Sequence, residues 1–379
     1  MADSIPPAAK RAKSSQVVPP LTAAFSSSKG KKLTLEDVAV AVPSLEGSES
    51  RLSFYAIFDG HGGSSCAEWA AARLPELLGQ ALHDASESQS IKEKIKAAFA
   101  TCDEELLSQC TKASWDDGAC VISILVDRRC MPARAYVANL GDSRAFAAVR
   151  ASSAASSSTN ATASAASTAS TASAASAASA ASAASAASSS KFAAPPIRAV
   201  ALSKDHTAID PKERKRIEAA GGFVENGRVC GLLEVSRSLG DRRLKKGGDA
   251  RKGKAPLTKP LSVPQCEVTS FEIGAEQRFV LLACDGLWKT FSGSQAVEWL
   301  HERLPVMDAR RREVAELLDS PAACAGLTRE ALNALRTERE RETEEGLLKA
   351  MVHEAVAVRH AKDNVTVMLV RLDESEECN

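Results

Sequence analysis

The sequence predicts a layered α+β domain, in which helices cover β-sheets, rather than a doubly wound parallel sheet. Short β-rich apolar runs and longer segments with helical spacing occur along the chain, but the two types do not alternate strictly. Hydrophobic residues make up 44% and charged residues 25% of the 379 residues, which is the balance of a soluble globular protein. This length suits one large domain or two ordinary ones.

Five apolar runs of strand length contain many β-branched and aromatic residues, which favour strands. These predicted strands are Phe54–Phe58, Cys120–Val126, Ala135–Leu140, Phe279–Ala283 and Val365–Leu372.

Six segments repeat apolar residues at helical spacing. These predicted helices are Ser64–Leu78, Lys92–Leu107, Pro211–Ala220, Ser294–Leu304, Ala309–Leu318 and Gly346–Val358. Proline suits the first turn of the third helix, and the glycine pair at 221–222 suits its end. Residues 328–345 are highly charged with mixed signs, which predicts an exposed helix.

Two segments are predicted to lie outside the folded core. Residues 1–28 are rich in Pro, Ala, Ser and Lys without a hydrophobic period, which predicts a disordered tail. Residues 151–190 are almost purely Ala and Ser, which predicts a low-complexity insertion in a surface loop. Because long loop insertions cost little free energy, we expect one domain over 29–373, with a short tail at 374–379.

The charge balance and the cysteine pattern limit the classes of partner and compartment. Lys plus Arg equals Asp plus Glu at 48 each, which argues against general attraction to nucleic acids or membranes. We find no apolar run of the ~20 residues that span a bilayer, and no secretory signal. The ten scattered cysteines form no CxxC pair, so we expect reduced thiols and no zinc site.

These features predict a cytoplasmic or nuclear protein. The basic cluster Lys10–Lys13 is interpreted as part of a solvated tail, in preference to a nuclear import signal. The sequence contains no heptad repeat, so we expect a monomer.

Four aspartates lie beside the predicted strands. Asp59, Asp142 and Asp285 follow such runs, and Asp363 precedes the last one. Carboxylates grouped at strand ends repel one another and are costly to desolvate, and a divalent cation relieves both costs. Oxygen ligands select hard ions such as Mg²⁺ or Mn²⁺. The alternative is that the Asp-Gly pairs among them are turn residues.

The segment Asp59–Gly63 places three glycines around His61. Glycines let the backbone approach a ligand closely and expose its carbonyl groups. A single histidine is usually structural, but one beside a metal-binding aspartate is a candidate proton donor. No Cys-x₅-Arg loop occurs, so no cysteine nucleophile is expected.

Seven segments, in order along the chain, resemble the motifs of the PPM/PP2C family of metal-dependent serine/threonine protein phosphatases. They are Lys31–Asp37, Phe58–Gly63, Ala138–Arg144, Leu202–His206, Val235–Asp241, Leu282–Trp288 and Lys362–Thr366. Each alone is weak, but together they cover nearly all of 29–373 outside the insertion. The resemblance implies a four-layer α/β/β/α sandwich with a central antiparallel β-sandwich and a cleft for two Mg²⁺ or Mn²⁺ ions.

The resemblance also implies the roles of the metal ligands. Asp59 is expected to bridge the two metals, while the Gly60 carbonyl, Asp285 and Asp363 complete the ligand set with waters. A water or hydroxide between the metals would attack phosphoserine or phosphothreonine monoesters of protein substrates directly. Two metals suit this reaction because they lower the pKa of the water, align it and offset phosphoryl charge.

Further roles are implied around this ligand set. Glu36 and Asp37 are expected to hold metal-bound water, and Asp142 to hold a third, weaker metal. His61 matches the general acid for the leaving alkoxide. Lys32 stands where the family usually has a phosphate-binding arginine, and lysine lacks the bidentate fork, so we expect weaker phosphate binding.

Other departures leave an alternative open. The segment Gly118–Val121 lacks two hydroxyl groups of the family pattern, and many members have serine at Cys284 and an acidic residue at Lys289. The alternative is a pseudophosphatase, a metal-binding regulatory or phosphoprotein-binding module. The retained metal carboxylates and His61 favour an active enzyme.

Residues 242–259 are rich in Lys, Arg and Gly, at the place where the family has a variable flap. A solvated loop is the simplest interpretation. The sharper hypothesis is that its cations favour acidic or multiply phosphorylated substrates. The cations concerned are Lys245, Lys246, Arg251 and Lys252.

Overall fold

The computed structural model describes residues 21–45, 51–83, 88–151, 196–245, 259–320, 324–325 and 327–372. Its first sheet is antiparallel and has five strands. They are β1 (Ala23–Ser28), β6 (Arg144–Arg150), β7 (Ile197–Ala201), β12 (Gln277–Ala283) and β13 (Val365–Arg371). Their spatial order is β1-β13-β12-β6-β7, so strands from both sides of the Ala/Ser segment belong to one sheet.

The second sheet is also antiparallel, with the order β11-β5-β4-β3-β2. Its strands are β2 (Val38–Val42), β3 (Leu52–His61), β4 (Gly118–Asp127), β5 (Arg134–Leu140) and β11 (Glu267–Glu272). A short strand β10 (Leu239–Gly240) pairs with the start of β4.

Helices cover the outer face of each sheet. On the second sheet lie α1 (Ser65–Leu82) and α2 (Ser88–Ala113), and on the first lie α6 (Gly293–Asp319) and α8 (Glu344–His353). The remaining elements are α3 (Pro211–Ala219), α4 (Arg242–Lys245), α5 (Asp285–Trp288), α7 (Arg329–Arg341), a π-helical turn (Glu354–Val358) and the hairpin β8 (Val224–Glu225) with β9 (Arg228–Val229). None of the described helices has the length and apolar character needed to cross a membrane.

The inner faces of the two sheets share a core. Tyr55 and Ile57 of β3 pack there with Val280 of β12 and Met368 of β13. The alternate residues of β3, including Phe58, face α1 and α2 instead. Because both faces of these strands are covered, they read as continuous apolar runs in the sequence. The predicted α+β class and four-layer sandwich are confirmed.

The predicted break between two helices at residues 305–308 is wrong. Helix α6 runs continuously from Gly293 to Asp319 through Pro305. Proline removes one backbone hydrogen bond and normally kinks or ends a helix. Here Leu300, Leu304 and Met307 are buried against the first sheet on both sides of the proline, so packing holds the helix together.

The predicted tail boundary at residue 28 is also wrong. Residues 23–28 form β1, which pairs with β13 over six residues. This edge strand consists mainly of Ala and Ser and is only partly buried, so it lacks the apolar signal of an inner strand. The rest of the predicted tail, residues 1–20, and the predicted tail at 374–379 lie outside the described residues.

Strands β6 and β7 flank the Ala/Ser segment. Arg150 pairs with Ile197, and the Ala151 N–H donates to the Pro196 carbonyl at 2.8 Å. These contacts form an antiparallel hairpin at the edge of the first sheet. The predicted insertion at 151–190 therefore connects two directly paired strands, although residues 152–195 themselves lie outside the description.

Candidate active site

One cleft collects eight of the nine residues that the sequence assigns to the site. Its volume is about 230 Å³. The eight residues are Lys32, Glu36, Asp59, Gly60, His61, Asp142, Asp285 and Asp363. The ninth, Asp37, is buried beneath it, with 7% of its surface exposed.

The two sheets bring these residues together from distant parts of the chain. Asp59 lies in β3 opposite Cys120 of β4, and the Ser143 hydroxyl donates to its Oδ2 at 3.2 Å. Asp285 begins α5 just after β12, and Asp363 stands two residues before β13. The cleft therefore lies at one end of the two packed sheets, and each sheet contributes carboxylates to it.

Two glycines permit this close assembly. A Cβ atom on Gly60 would lie 2.4 Å from the Glu36 carbonyl oxygen, and one on Gly286 would lie 1.9 Å from the Asn364 carbonyl oxygen. Real Cβ atoms do not approach backbone so closely, so larger residues would push the acidic segments apart. The Asp-Gly pairs are thus packing requirements of the cleft rather than simple turns.

Asn364 attaches the segment bearing Lys32 and Glu36 to the start of β13. Its Nδ2 donates to the carbonyls of Lys29 and Thr34 at 3.0 and 2.9 Å, and its Oδ1 accepts from the Glu36 N–H at 2.9 Å. We gave this residue no role from the sequence. Its presence within the motif Lys362–Thr366 was the available signal.

The carboxylates of the cleft repel one another. Burial raises the pKa of Asp59 well above its usual value, and the charges of Asp37, Asp285 and Asp142 raise it further. Burial likewise raises the pKa of Asp37 and of Asp142 to about 6. The cluster thus favours a bound positive charge, either protons or a cation.

The arrangement fits hard divalent cations. Asp37 Oδ2 accepts a hydrogen bond from the Thr366 hydroxyl at 2.6 Å, but its buried Oδ1 has no hydrogen-bond partner among the described residues. Ligand atoms of Asp37, Asp59 and Cys284 lie within 4.8 Å of one another. So do those of a second group, which adds Glu234 to two predicted ligands: Asp142, Glu234 and Asp285. The oxygen-rich donor set suits Mg²⁺ or Mn²⁺.

Two lysines contact these carboxylates. Lys32 Nζ lies 2.9 Å from Asp363 Oδ1, while Lys289 Nζ contacts Asp285 Oδ2 and lies 3.8 Å from Asp363 Oδ2. Burial raises the pKa of Asp363, but the hydrogen bond from Lys32 and both lysine charges outweigh it and lower that pKa overall. Lys289 appears in the sequence only as a family departure, and its place in the cleft was not predicted.

His61 has a carboxylate partner that sequence reasoning did not assign. Its Nε2 lies 2.9 Å from Asp241 Oδ2 and 3.1 Å from Oδ1. Burial lowers the pKa of His61, but the adjacent Asp241 charge outweighs it and raises the pKa above its usual value. The pair therefore favours the protonated ring. Asp241 ends the motif Val235–Asp241, which was the only sequence signal for it.

The structure changes the hypothesis about the basic segment. Lys245 is buried, and its Nζ donates to Asp103 Oδ1 at 2.6 Å and to the Ser238 carbonyl at 2.7 Å. Its charge is therefore part of a buried structural contact, and the prediction that Lys245 attracts substrates is wrong. The other three lie outside the described residues: Lys246, Arg251 and Lys252.

The departure at Gly118–Val121 lies directly against the site. Cys120 lines the cleft, and a Cβ on Gly141 would lie 2.3 Å from its Sγ. Burial raises the pKa of this thiol well above its usual value, so it is not a reactive thiolate. Its place in the wall fits a packing role.

The chain is similar to known proteins of one family. A family model described as Protein phosphatase 2C matches residues 22–180 and 182–337. Probable protein phosphatase 2C 67 of Oryza sativa subsp. japonica is 32% identical over 282 residues, covering 73% of this chain and 64% of that protein. Integrin-linked kinase-associated serine/threonine phosphatase 2C of Bos taurus is 29% identical over 377 residues, covering 96% of this chain and 80% of that protein.

Solved structures share the fold. A serine-threonine phosphatase 2C from Toxoplasma gondii superposes with a TM-score of 0.60 at 18% identity, covering 93% of this chain and 95% of that chain. At this sequence identity the similarity shows only that the fold is shared.

The chain spans 64% of the length of the first of these relatives and 80% of the second, and its fold and its family match agree. The chain belongs to the protein phosphatase 2C family. Within it, the segments Leu233–Ser238 and Ala283–Lys289 carry a likeness to the integrin-linked kinase-associated phosphatases, and mammalian proteins of that name are about 30% identical over most of this chain.

Proposed function

We propose that this protein hydrolyses phosphoserine and phosphothreonine monoesters in proteins, by direct attack of water assisted by two divalent cations. The observation that carries the proposal is the convergence of Asp59, Asp285 and Asp363 in one cleft beside the His61–Asp241 pair. Family membership supports the same reaction.

The proposed cation ligands are Asp59 as the bridge, with the Gly60 carbonyl, Asp285 and Asp363. Glu36 and Asp37 would hold coordinated waters. When bound, Mg²⁺ or Mn²⁺ supplies an activated water and offsets the charge of the phosphoryl oxygens. The raised pKa values of Asp59 and Asp37 support this assignment, because carboxylates that resist ionisation together are stabilised by cations.

Lys32 is the proposed phosphate-binding residue. Its side chain is 49% exposed, and its ammonium group lies at the cleft beside Asp363. An ammonium group attracts a phosphate dianion as a point charge, without the paired hydrogen bonds that arginine makes. We infer that Lys32 steadies the phosphoryl group while the carboxylates hold the cations.

His61 is the proposed general acid. As the phosphorus–oxygen bond breaks, the leaving serine or threonine alkoxide takes a proton from the imidazolium, which becomes neutral. An alkoxide is a poor leaving group, so a positioned acid contributes on the order of 10²- to 10⁴-fold to such a step.

Asp142 is proposed to hold a third cation weakly, together with Asp285. The ligand atoms of both residues lie within 4.8 Å of each other and of Glu234. Lys289 also contacts Asp285, so an intrinsic ammonium group already offsets part of the charge there. We therefore assign two cations to the reaction and give the third a secondary place.

The test compares phosphate release from a phosphothreonine peptide by the wild type with Mn²⁺, by the wild type with EDTA, and by Asp59→Asn with Mn²⁺. We expect activity only in the first sample. Asp319→Asn, at an exposed aspartate that ends α6, is the matched control and should retain full activity. Activity that survives Asp59→Asn or EDTA would contradict the proposed chemistry.

The pseudophosphatase alternative predicts a different result in the same experiment. A regulatory module would bind Mn²⁺, measurable by calorimetry, without releasing phosphate. The buried partner of His61 favours turnover, because binding a phosphoprotein requires no oriented acid. Mn²⁺ binding by a wild type that releases no phosphate would establish the alternative.

A further inference from the structure

We propose that Asp241 is the positioning residue for His61, and that a buried network anchored on α2 fixes its carboxylate. The inference rests on the proposed function, because it concerns the proton that His61 gives to the leaving group. It assigns catalytic importance to the segment Ser238–Lys245.

The contact between the two side chains defines the orientation of the imidazole. Both carboxylate oxygens of Asp241 lie within 3.1 Å of His61 Nε2. The Asp241 side chain is 8% exposed, whereas the His61 side chain is 28% exposed and lines the cleft. The carboxylate therefore lies on the side of the ring away from solvent. Its contact with Nε2 determines which ring nitrogen of His61 is hydrogen-bonded to Asp241.

The use of Nε2 for Asp241 leaves Nδ1 for the substrate. In the reaction, the proton on Nδ1 moves to the leaving oxygen while Nε2–H stays donated to Asp241. The ring then becomes a neutral tautomer with its proton on Nε2, and Asp241 remains ionised. A carboxylate behind a catalytic histidine orients the ring and fixes its tautomer in the same way.

The backbone around this pair is shaped to admit it. A Cβ on Gly118 would lie 2.4 Å from Asp241 Oδ2 and 2.7 Å from His61 Nε2, so a larger residue could not occupy this position without separating the pair. Asp241 itself adopts φ of +49°, a left-handed conformation that is uncommon for non-glycine residues. Its N–H donates to the Asp117 carbonyl at 2.9 Å, which helps to hold this conformation.

A hydrogen bond from Ser238 holds the carboxylate of Asp241. The Ser238 hydroxyl donates to Asp241 Oδ2 and also contacts the Ser262 hydroxyl, with 2.7 Å between the two oxygens. Both serines are fully buried. Buried charged groups are stable only when their hydrogen-bonding capacity is satisfied, and Asp241 meets this condition.

A buried ion pair ties the whole segment to α2. Lys245 Nζ lies 2.6 Å from Asp103 Oδ1, and the two side chains are 3% and 4% exposed. The same Asp103 oxygen accepts the Gly240 N–H at 2.9 Å, and Lys245 donates to the Ser238 carbonyl. Asp103 thus binds the segment on both sides of Asp241, and removing one partner of such a pair is strongly destabilising.

The experiment compares two substrates that differ in their need for an acid. The leaving group of a phosphothreonine peptide is an alkoxide, which needs a proton. The leaving group of p-nitrophenyl phosphate is a stable phenolate, which does not. For Asp241→Asn with Mn²⁺, we expect kcat on the peptide to fall about 100-fold, and kcat on p-nitrophenyl phosphate to fall less than about threefold. His61→Ala should show the same selectivity.

A double variant tests whether the two residues act as a unit. Asp241→Asn combined with His61→Ala should lose no more peptide activity than His61→Ala alone. Ser238→Ala, which removes one hydrogen bond to Asp241 and leaves its charge, should show a smaller loss with the same selectivity. It also keeps the inference testable if Asp241→Asn folds poorly. Thermal unfolding verifies the fold of each variant, and Asp319→Asn is the control.

The outcomes separate this inference from the proposed function. Equal losses on both substrates, or losses that multiply in the double variant, would overturn the role of Asp241 and leave the phosphatase assignment intact. A wild type without Mn²⁺-dependent activity on either substrate would overturn the proposed function itself.

Discussion

Two lysine side chains place positive charge at the rim of the acidic cleft. Lys32 contacts Asp363 and Lys289 contacts Asp285, and the two lysine side chains are 49% and 53% exposed. Each ammonium group therefore has a carboxylate on one side and solvent on the other. These two ammonium charges offset part of the repulsion that the carboxylates would exert on a phosphate dianion.

The first prediction concerns Lys32. Lys32→Ala should raise KM for a phosphothreonine peptide and the Ki of inorganic phosphate about tenfold, because it removes one charge-assisted hydrogen bond. Lys32→Arg should lower both, since its planar fork can bind two phosphate oxygens. Steady-state kinetics with phosphate as product inhibitor measures these changes. Lys31→Ala, at an exposed neighbouring residue, is the control, and equal effects of the two alanine variants would refute the assignment.

At the residue scale, the sequence predicted the residues that line the cleft better than it predicted the residues that contact them. Asp59 and Asp285 stand beside strands and glycines, which are local signals. The contact between His61 and Asp241 joins residues 180 positions apart, and nothing local in the sequence indicates it. Lys245 was misjudged for the same reason, because its partner Asp103 is 142 positions away.

At the element scale, β6 and β7 bring the two ends of the Ala/Ser segment together at the edge of the first sheet. The hairpin is closed by strand pairing up to Arg150 and Ile197 and by the hydrogen bond from Ala151 to Pro196. The pairing itself needs only a short turn. Strand β7 lies at the edge of its sheet.

The second prediction follows from this hairpin. Replacing residues 152–195 with a two-residue Asn-Gly turn should preserve Mn²⁺-dependent activity and stabilise the fold by about 2 to 3 kcal/mol, because loop closure costs less entropy in a shorter loop. Urea unfolding and phosphatase assays measure the two effects. A Gly-Ser linker of the natural length is the control and should match the wild type. Loss of activity in the short-turn variant would show that the segment contributes to the site.

The elements that the sequence revealed are those with strong local patterns. The five predicted strands are inner strands of their sheets, and most of their residues are apolar on both faces. Strand β1 was missed because it is an edge strand of small residues, whose stability comes from backbone pairing with β13. Helix α6 was divided at Pro305 because the packing that sustains it depends on the first sheet, which lies elsewhere in the sequence.

At the scale of the whole molecule, the buried carboxylates of the cleft destabilise the fold that the two-sheet core stabilises. Asp37 and Asp142 have pKa values of about 6 in the folded protein, above the ~3.9 of an unfolded aspartate. Between these values the folded state holds more protons than the unfolded state, so stability falls as pH rises through this window. Above about pH 6 the penalty from these two groups is fully present, and a bound cation relieves it.

The third prediction is that the protein treated with EDTA is less stable at pH 7 than at pH 5, by on the order of a few kcal/mol. Acidic groups with lowered pKa values, such as Asp210 and Glu213 at about 2, contribute fully throughout this range and do not alter the trend. Mn²⁺ should stabilise the protein more at pH 7, where it competes with fewer protons. Thermal unfolding at both pH values, with and without Mn²⁺, measures this.

Asp37→Asn provides the control for this prediction. It removes one of the titrating groups, so the difference in stability between pH 5 and pH 7 should shrink relative to the wild type. A metal-free wild type that gains stability from pH 5 to pH 7, or an Asp37→Asn variant with an unchanged difference, would contradict the electrostatic account.

The pairing of β1 with β13 has a consequence for biosynthesis. Ser27 and Thr366, whose hydroxyl groups are hydrogen-bonded across these strands, are 339 positions apart. A ribosome therefore releases β1 long before its neighbour exists, and the loop with Lys32 and Glu36 cannot contact Asp363 and Asn364 until β13 has been synthesised. A nascent chain that stops before Asp363 lacks part of the cleft, so this site assembles only after the two ends of the first sheet have come together.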